Sequence, residues 1–307
     1  MTQKTKNQHY VPQFMLRAFS NSESRVSVFD KAKDRIFVSS PRNMASENGF
    51  YDFEIDGVPG TLEPLFCEIE ERAAPLMQRI VAERSLRGLS HKDRSILAEF
   101  VGFQSLRTKA NREMLSQLDD ELERVLPDKG FAPEQIQSLV SSDEESIKMQ
   151  SMYHLDIAKQ IGGSLLKKMW YLATPPEDRE FLISDHPVVR WNHLKPDPYM
   201  SNNGFESAGI EISIPLSPTI SLSFLCRDIV RRLRNLQNST RKSVPRLSAI
   251  KSGTPERIDP PAFEHLIALQ VAGATRFIFS SQNDFSAARQ LVESHPEIVT
   301  PARIVAE

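Results

Sequence analysis

At residues 7–19 the chain carries the segment Asn-Gln-His-Tyr-Val-Pro-Gln-Phe-Met-Leu-Arg-Ala-Phe. Chain ends are usually frayed and featureless, whereas this one places His9, Tyr10, Gln13 and Arg17 among apolar side chains. Near neutral pH a histidine can act as a general base, a general acid or a metal ligand, and an arginine binds phosphate through its planar fork. Two interpretations follow. Either the segment forms part of a polar site, or its aromatic side chains anchor the chain while His9 donates to a backbone carbonyl.

The length and composition are those of an ordinary globular protein. The chain has 307 residues, of which 40% are hydrophobic and 25% charged, enough for a sizeable core. Its formal net charge of -2 gives no overall basic character of the kind that nucleic-acid-binding proteins often show, although a local basic patch stays open. The two cysteines, Cys67 and Cys226, form no Cys-x-x-Cys pair, which argues against a cysteine-based zinc site.

No signal peptide and no apolar stretch long enough to span a bilayer is evident in the sequence. Low cysteine content is typical of a reducing compartment. We therefore expect a cytoplasmic protein with no membrane partner.

Short alternating apolar runs predict a β-rich part over residues 1–60. Arg25–Phe29 and Arg35–Val38 flank a polar stretch and predict a hairpin. Phe50–Ile55 predicts a third strand, which the turn residues that follow would close.

Helical periodicity predicts a helical part over residues 61–167. A helix that starts at Thr61 is expected to kink or break at Pro75, because proline lacks a backbone N–H. A second helix is predicted over residues 90–118, and a further one over residues 143–166.

The pattern returns to strands over residues 168–307. Met169–Leu172 and Glu180–Ser184 flank a turn-rich stretch, and we expect them to pair. The loop at residues 192–209 is long enough to be functional or mobile. Residues 210–214 and 219–224 predict two strands, and residues 259–274 predict a helix. A last strand is predicted at residues 276–280 and a closing helix from residue 284 onward.

These elements predict an α+β fold. A mixed or antiparallel sheet would combine strands from the N- and C-terminal parts, and the helical middle would pack on it. We expect a single domain over residues 1–307.

A second polar motif, Ser184-Asp185-His186-Pro187, directly follows the apolar run Phe181–Ile183. Polar groups that leave a buried strand end hold ligands in many α/β sites. Asp185 would then hold a metal ion or orient a histidine. The alternative is an Asx-type turn, in which Asp185 accepts hydrogen bonds from nearby backbone amides.

A third motif, Gln104-Ser105-Leu106-Arg107-Thr108, lies in the predicted second helix. Gln104 and Arg107 are three residues apart and share a face. They would form a clamp for phosphate or carboxylate. Alternatively, they belong to a solvated face, or Arg107 pairs with the acidic helix at residues 61–72, which opens with Glu63.

Two further basic features are candidate phosphate contacts. Arg42 precedes Asn43, and such a pair before a loop either binds phosphate or fixes the turn. The densest basic cluster is predicted to be a solvated helix whose cations lie on more than one face, with nucleic-acid backbone binding as the alternative; it comprises Arg227, Arg231, Arg232 and Arg234.

Together, the opening segment, the Gln-x-x-Arg-Thr helix and the Ser-Asp-His-Pro-Val turn resemble a bacterial family catalogued as domain of unknown function four-two-three-eight, whose members open with His-Tyr-Val-Pro-Gln. The resemblance runs from His9 to about Ser280. It implies a fold and no established chemistry. The resemblance also implies a bacterial accessory protein that is linked to mobile elements or antiphage defence. The family more often has asparagine where this chain has His186, and because an amide cannot transfer protons, this argues against a catalytic His186.

Standard catalytic motifs are absent from the sequence, including the phosphate-binding loop, the dinucleotide-binding glycine pattern, the zinc-binding His-Glu-x-x-His helix and the hydrolase nucleophile elbow. The first hypothesis is a nuclease in which His9 is the general acid or base, Arg17 and Arg107 bind phosphate, and Asp185 orients His9 or binds a divalent metal ion. Further binding residues would be Tyr10, Gln13, Arg42, Gln104, Ser184 and His186.

The second hypothesis is a non-catalytic module that binds a nucleotide, a nucleic acid or a protein partner through the same residues. A third interpretation is purely structural. In that case the opening segment locks the N-terminus into the sheet.

Overall fold

A computed structural model describes residues 7–55, 57–137, 139–140, 156–194 and 203–303. The described strands are β1 (Asn7–His9), β2 (Val26–Asp30), β3 (Arg35–Ser39), β4 (Ser46–Asn48), β5 (Asp52–Ile55), β6 (Val58–Thr61), β7 (Met169–Thr174), β8 (Ile183–Ser184), β9 (Val189–Asn192), β10 (Ile210–Ser217), β11 (Ile220–Leu225), β12 (Glu256–Arg257) and β13 (Phe277–Ser280).

The described helices are α1 (Gln13–Ala18), α2 (Glu63–Glu83), α3 (His91–Leu106), α4 (Lys109–Val125), α5 (Pro133–Gln137), α6 (residues 156–166), α7 (Arg227–Thr240), α8 (Pro245–Ser252), α9 (Pro260–Gly273) and α10 (Ser286–Ser294). Strand-rich parts thus flank a helical middle, and the α+β prediction is confirmed. The predicted helix at residues 143–166 is confirmed over 156–166, and its first part, like residues 195–202 of the predicted long loop, lies outside the described residues.

A four-stranded antiparallel sheet joins the two ends of the chain in the order β3-β2-β13-β8. β2 and β3 form the predicted hairpin. β13 lies between β2 and β8, with Phe279 opposite Val28 and Ile278 opposite Ser184. This confirms that N- and C-terminal strands share a sheet, and it sets the Ser184-Asp185 motif beside β13.

A second, five-stranded sheet has the order β12-β7-β11-β10-β9, in which only the β12–β7 pair is parallel. All residues of β10 and β11 are buried, so both faces of this sheet are covered. The expected pairing of Met169–Leu172 with Glu180–Ser184 is wrong. β7 pairs with β11 and β12, whereas β8 belongs to the four-stranded sheet, because distant strands offer these edges better partners than the local turn does.

The helix predicted over residues 90–118 is in fact two helices that meet at Arg107 and Thr108. α3 ends at Leu106 with Arg107 as its C-cap, and Thr108 has an extended backbone with φ -93° and ψ 163°. By contrast, α2 continues through Pro75, so the predicted break there is absent. The apolar face of α2 is buried on both sides of the proline, and this packing offsets the lost hydrogen bond.

Helices connect the two sheets into one core. α1 contacts β10, and α9 contacts both β8 and β9, so it bridges the sheets. One contiguous hydrophobic cluster contains residues from the N-terminal, middle and C-terminal parts. The chain end that carries the opening motif is therefore held against β10, an interior strand of the five-stranded sheet.

Candidate functional site

The opening motif begins on β1, which pairs with β4 so that His9 lies opposite Ser46. Nε2 of His9 is 3.1 Å from the backbone oxygen of Arg42. Because a carbonyl only accepts hydrogen bonds, the ring must carry its hydrogen on Nε2, which leaves Nδ1 as an acceptor. Burial lowers the pKa of His9 below 6.5, so the ring is mostly neutral at pH 7.

Two exposed arginines, Arg17 and Arg42, lie on the elements α1 and Pro41–Asn43. Arg17 donates to Gln13 across 2.8 Å on the surface of α1. α1 packs against the short 3-10 helix Pro41–Asn43, which carries the exposed side chain of Arg42. Arg17 and Arg42 thus lie on elements that contact each other, and the carbonyl of Arg42 holds the His9 ring.

Gln8 anchors β1 from the opposite side and is fully buried. It donates to Asp52 across 2.8 Å and accepts a hydrogen bond from the backbone N–H of Tyr51. Both partners of Gln8 are on or next to β5, so the two hydrogen bonds connect β1 to the β5–β6 ribbon.

The Gln-x-x-Arg motif contacts the opening motif directly. Gln104 donates to the backbone oxygen of Tyr10 across 3.0 Å and accepts from Nε of Arg107 at 2.8 Å. Nη1 of Arg107 forms an ion pair with Glu70 at 2.8 Å, and its side chain is only 3% exposed. The prediction of a solvated face is therefore wrong here, and the ion pair with the acidic helix is confirmed.

The second terminal nitrogen of this arginine, Nη2, differs from Nη1 in its surroundings. Nη2 of Arg107 is buried and makes no hydrogen bond within the part of the chain that the structure describes. Burial lowers the pKa of Arg107, but the negative charge of Glu70 outweighs it and holds the pKa above its ordinary value. Arg107 therefore stays positively charged, and its buried Nη2 costs free energy unless an acceptor binds it.

We name His9, Tyr51, Glu63, Glu70 and Arg107 the signature cluster. The hydroxyl of Tyr51 shares its one hydrogen between the backbone oxygens of His9 at 3.0 Å and of Arg107 at 3.4 Å, which holds the two motifs together. The Glu70–Arg107 ion pair acts electrostatically on both His9 and Glu63. Burial and the charge of Glu70 raise the pKa of Glu63 to about 7.

The raised pKa of Glu63 predicts a specific dependence of stability on pH. In the folded state the Glu63 carboxyl group keeps its proton up to about pH 7, whereas in the unfolded chain it loses the proton at about pH 4.3. The unfolding free energy should therefore fall as the pH rises through this window. For a partly exposed group we expect a fall of about 1–2 kcal/mol.

Urea unfolding at pH values below and above this window tests the assignment. Glu63→Gln should remove the fall, so that the variant gains stability relative to wild type at the higher pH. Glu68→Gln, on the exposed side of the same helix, is the matched control. Identical pH profiles for wild type and Glu63→Gln would contradict the assignment.

The Ser-Asp-His motif lies at the end of β8, where its side chains hold backbone. Asp185 is buried and accepts from the amides of Thr275 at 2.7 Å and of Arg276 and Phe277 at 2.8 Å. Ser184 bonds to Gln270 at 2.8 Å. The amides that Asp185 accepts from belong to a distant segment, rather than to its own turn as an Asx turn requires.

His186 connects this motif to the end of α3. Its Nδ1 is 2.8 Å from the hydroxyl of Thr108, and burial lowers its pKa to about 3. The three motifs are thus joined around the α3–α4 junction. The ring of His9 is held by Arg42 rather than by Asp185. Catalytic, metal-binding or ligand-binding roles for Asp185, Ser184 and His186 stay predictions.

Sequence reasoning missed a second buried polar network on the five-stranded sheet. Glu211 accepts from Tyr171 at 2.8 Å and is 2.7 Å from Nε2 of His193. The ring of His265 packs on Trp191, and its Nε2 is buried without a hydrogen bond among the described residues. The available signal was a lone carboxylate inside the apolar strand Ile210–Ile214.

The described residues contain no group of three or more His, Cys, Asp or Glu side chains arranged to hold a metal ion. None of their helices combines the length and apolar character that crossing a bilayer requires.

Comparison with known proteins gives one match. The model of the family described as protein of unknown function (DUF4238) matches residues 7–284. Neither a curated protein nor a solved structure matches the chain. The matched range begins with the opening motif and includes all three motifs of the site.

Proposed function

The chain belongs to the DUF4238 family, and from the geometry of the signature cluster we propose that it is a nuclease with His9 as general base and Glu63 as general acid. The observation that carries the proposal is that Tyr51 and Gln104 join the opening motif to the buried Glu70–Arg107 ion pair. The directions of two pKa values next to this ion pair support it. The pKa of His9 is lowered, whereas that of Glu63 is raised to about 7. Environments that separate two pKa values in this way assign the base and the acid at neutral pH.

In the proposed reaction, Nδ1 of His9 removes the proton of the attacking hydroxyl, which is either water or the 2′-hydroxyl of RNA. The new P–O bond forms at that oxygen while the bond to the leaving oxygen breaks. The carboxyl group of Glu63 gives its proton to the leaving oxygen. The exposed cations Arg17 and Arg42 would hold the phosphate. Arg42 lies on the 3-10 helix whose carbonyl binds the His9 ring, and Arg17 lies on α1, which contacts that helix.

Arg107 has a different part in this proposal. Its guanidinium group is buried and bound to Glu70 and Gln104, so it lies beneath the surface at which a phosphate would bind. We assign it as a positioning residue that fixes Glu70 and thereby sets the electrostatic field at His9 and Glu63. The earlier prediction that Arg107 itself binds phosphate stays a prediction.

The proposal predicts cleavage of labelled RNA or DNA by the purified protein and its loss in His9→Ala. Removing a general base typically lowers the rate by about 10²–10⁴-fold. The rate of the wild-type protein should follow a bell-shaped pH profile between the two pKa values. In Glu63→Gln the alkaline limb of this profile, at about pH 7 in the wild type, should be absent. Parallel reactions with Mg²⁺, Mn²⁺ or EDTA test whether a divalent ion takes part.

His91→Ala is the matched control, since His91 is an exposed residue at the start of α3. It should cleave at the wild-type rate. Equal cleavage by folded His9→Ala and wild type would overturn the assignment of His9. Absence of cleavage by the wild-type protein on every substrate would overturn the nuclease proposal.

A non-catalytic binding module is the second candidate function. It is supported by the internal hydrogen bonds of Gln104, Ser184 and Asp185, whose polar atoms already hold neighbouring backbone and side chains. Such groups shape a surface without themselves reacting. Retained ligand affinity without turnover would favour this candidate over the nuclease.

A further inference from the structure

The exposed arginines of α7 take no part in the signature cluster, and we propose that they form a binding surface for the phosphate backbone of nucleic acid. Arg227, Arg231 and Arg234 follow each other at i, i+4 and i+7 along this helix. At 100° per residue they fall within an arc of about 60° on one face. All three are exposed. We call them the arginine row; Arg232 lies on another face.

The charge around the row is strongly one-sided. The next carboxylate along the chain, Asp228, is 2.8 Å from Nη1 of Arg231. From there to Glu256 the sequence has no Asp or Glu, but it has seven cations: Arg231, Arg232, Arg234, Arg241, Lys242, Arg246 and Lys251.

Most of this charge is not paired with a carboxylate within the described parts of the chain. Among the described residues, no carboxylate forms an ion pair with Arg227, Arg234 or Lys242, whereas Arg246 pairs with Glu256 at 3.3 Å. In a chain whose formal net charge is -2, this concentration is local. Two cations of the row, Arg227 and Arg234, thus keep an uncompensated charge on one face, which provides an attractive potential for a polyanion.

The dimensions fit a nucleic-acid backbone. With a rise of 1.5 Å per residue, the row extends about 10 Å along the helix. A DNA duplex presents one phosphate charge per about 1.7 Å of its axis, so several phosphates lie within reach. The planar fork of arginine matches phosphate oxygens. Contacts of this kind position the nucleic acid without reading its sequence.

An anionic lipid surface fits this helix less well. A helix that lies on a bilayer inserts an apolar face, but Ile229 and Val230 are buried in the core and Leu233 packs against it. The large apolar side chain that α7 leaves exposed is Leu236, at 52%. The apolar face is thus occupied by the protein's own core, which leaves the basic face to contact the partner.

Binding at the row does not depend on cleavage at the signature cluster, so it is measured separately. The 307-residue chain with His9→Ala prevents cleavage during the assay and serves as the common background. Fluorescence anisotropy then reports the affinity for labelled single-stranded RNA, single-stranded DNA and duplex DNA over a range of salt concentrations. Vesicles that contain phosphatidylserine form a further arm.

In this background, the variant Arg227→Gln/Arg231→Gln/Arg234→Gln should bind at least about tenfold more weakly at moderate salt. The slope of log K against log salt should decrease by about 2–3 units, because each phosphate contact contributes about 0.9 for duplex DNA. The charge-matched control is Arg84→Gln/Lys92→Gln/Lys129→Gln, which removes three exposed cations from other elements. It should stay within about twofold of its parent and keep its salt slope.

Of the three nucleic acids, the one that binds with the highest affinity identifies the class of ligand. Equal affinities and salt slopes for the row variant and the control would overturn the proposal. So would a lack of binding to all three nucleic acids, or binding to vesicles alone. If His9→Ala loses cleavage and still binds nucleic acid, both proposals are supported separately. If the protein binds nucleic acid but the wild type does not cleave it, the binding-surface proposal stands and the nuclease proposal is overturned.

Discussion

Asp185→Ala is expected to lower the free energy of unfolding by about 4 kcal/mol, a large part of the stability of a typical domain. The carboxylate is 1% exposed and accepts from three successive backbone N–H groups, at Thr275, Arg276 and Phe277. These donors lead into β13, the strand that lies between β2 and β8. Alanine would leave buried amides without an acceptor, each at a cost of about 1–3 kcal/mol, partly relieved where water can enter.

The measurement is urea unfolding of wild type, Asp185→Ala and Asp185→Asn. Asparagine keeps the shape but replaces one accepting oxygen by an NH₂ group, so it should also be clearly destabilised. Asp128→Ala, at an exposed position, is the control and should change stability by less than about 0.5 kcal/mol. A normally stable Asp185→Ala protein that has lost activity would instead assign Asp185 to the chemistry.

The hairpin β2–β3 could be predicted because its signal is local. Two alternating runs flank a short polar loop, and the strands pair as that pattern requires. The position of β8 could not be predicted in this way. Its partner β13 lies about ninety residues further along the chain, and no periodicity in the sequence links the two. The assumption that neighbouring strands pair therefore gave β7 as the wrong partner.

The break between α3 and α4 shows why local propensity was insufficient. Residues 104–112 contain neither glycine nor proline, so the pattern predicts an uninterrupted helix. Tertiary hydrogen bonds compete there. Tyr51 donates to the carbonyl of Arg107, and the hydroxyl of Thr108 bonds to His186. Both partners come from distant segments, and they turn the chain where the three motifs meet.

For the site, residue type predicted where polar groups cluster but not what they contact. The bond of His9 to a backbone carbonyl was one of two interpretations, and the structure contains it. The shifted pKa of Glu63 depends on burial beside Glu70. Burial of this kind is set by how α2 packs against α3, which the helical pattern alone does not specify.

Gly102→Ala should be the second strongly destabilising substitution, with an expected loss of about 3 kcal/mol. Gly102 lies on α3 where α6 crosses it. A methyl group there would lie 2.2 Å from the backbone oxygen of Ala158 and 3.2 Å from the nitrogen of Gly162. Backbone atoms cannot rotate away as a side chain can, so the two helices would have to separate. The buried side chains at their contact would then lose packing.

Gly163→Ala is the matched control, because a methyl group there meets nothing within 4 Å and the residue lies inside the same helix α6. Alanine at that position should stabilise the protein by about 0.5–1 kcal/mol through its higher helix propensity. Thermal and urea unfolding therefore separate the steric effect from helix propensity, because the change in the free energy of unfolding should have opposite signs in the two variants. Equal stability of Gly102→Ala and Gly163→Ala would contradict the close approach of α3 and α6. Because Gln104 and Arg107 follow Gly102 by less than two turns, a displaced α3 should also disturb the signature cluster, so Gly102→Ala should lose the pH dependence of stability assigned to Glu63.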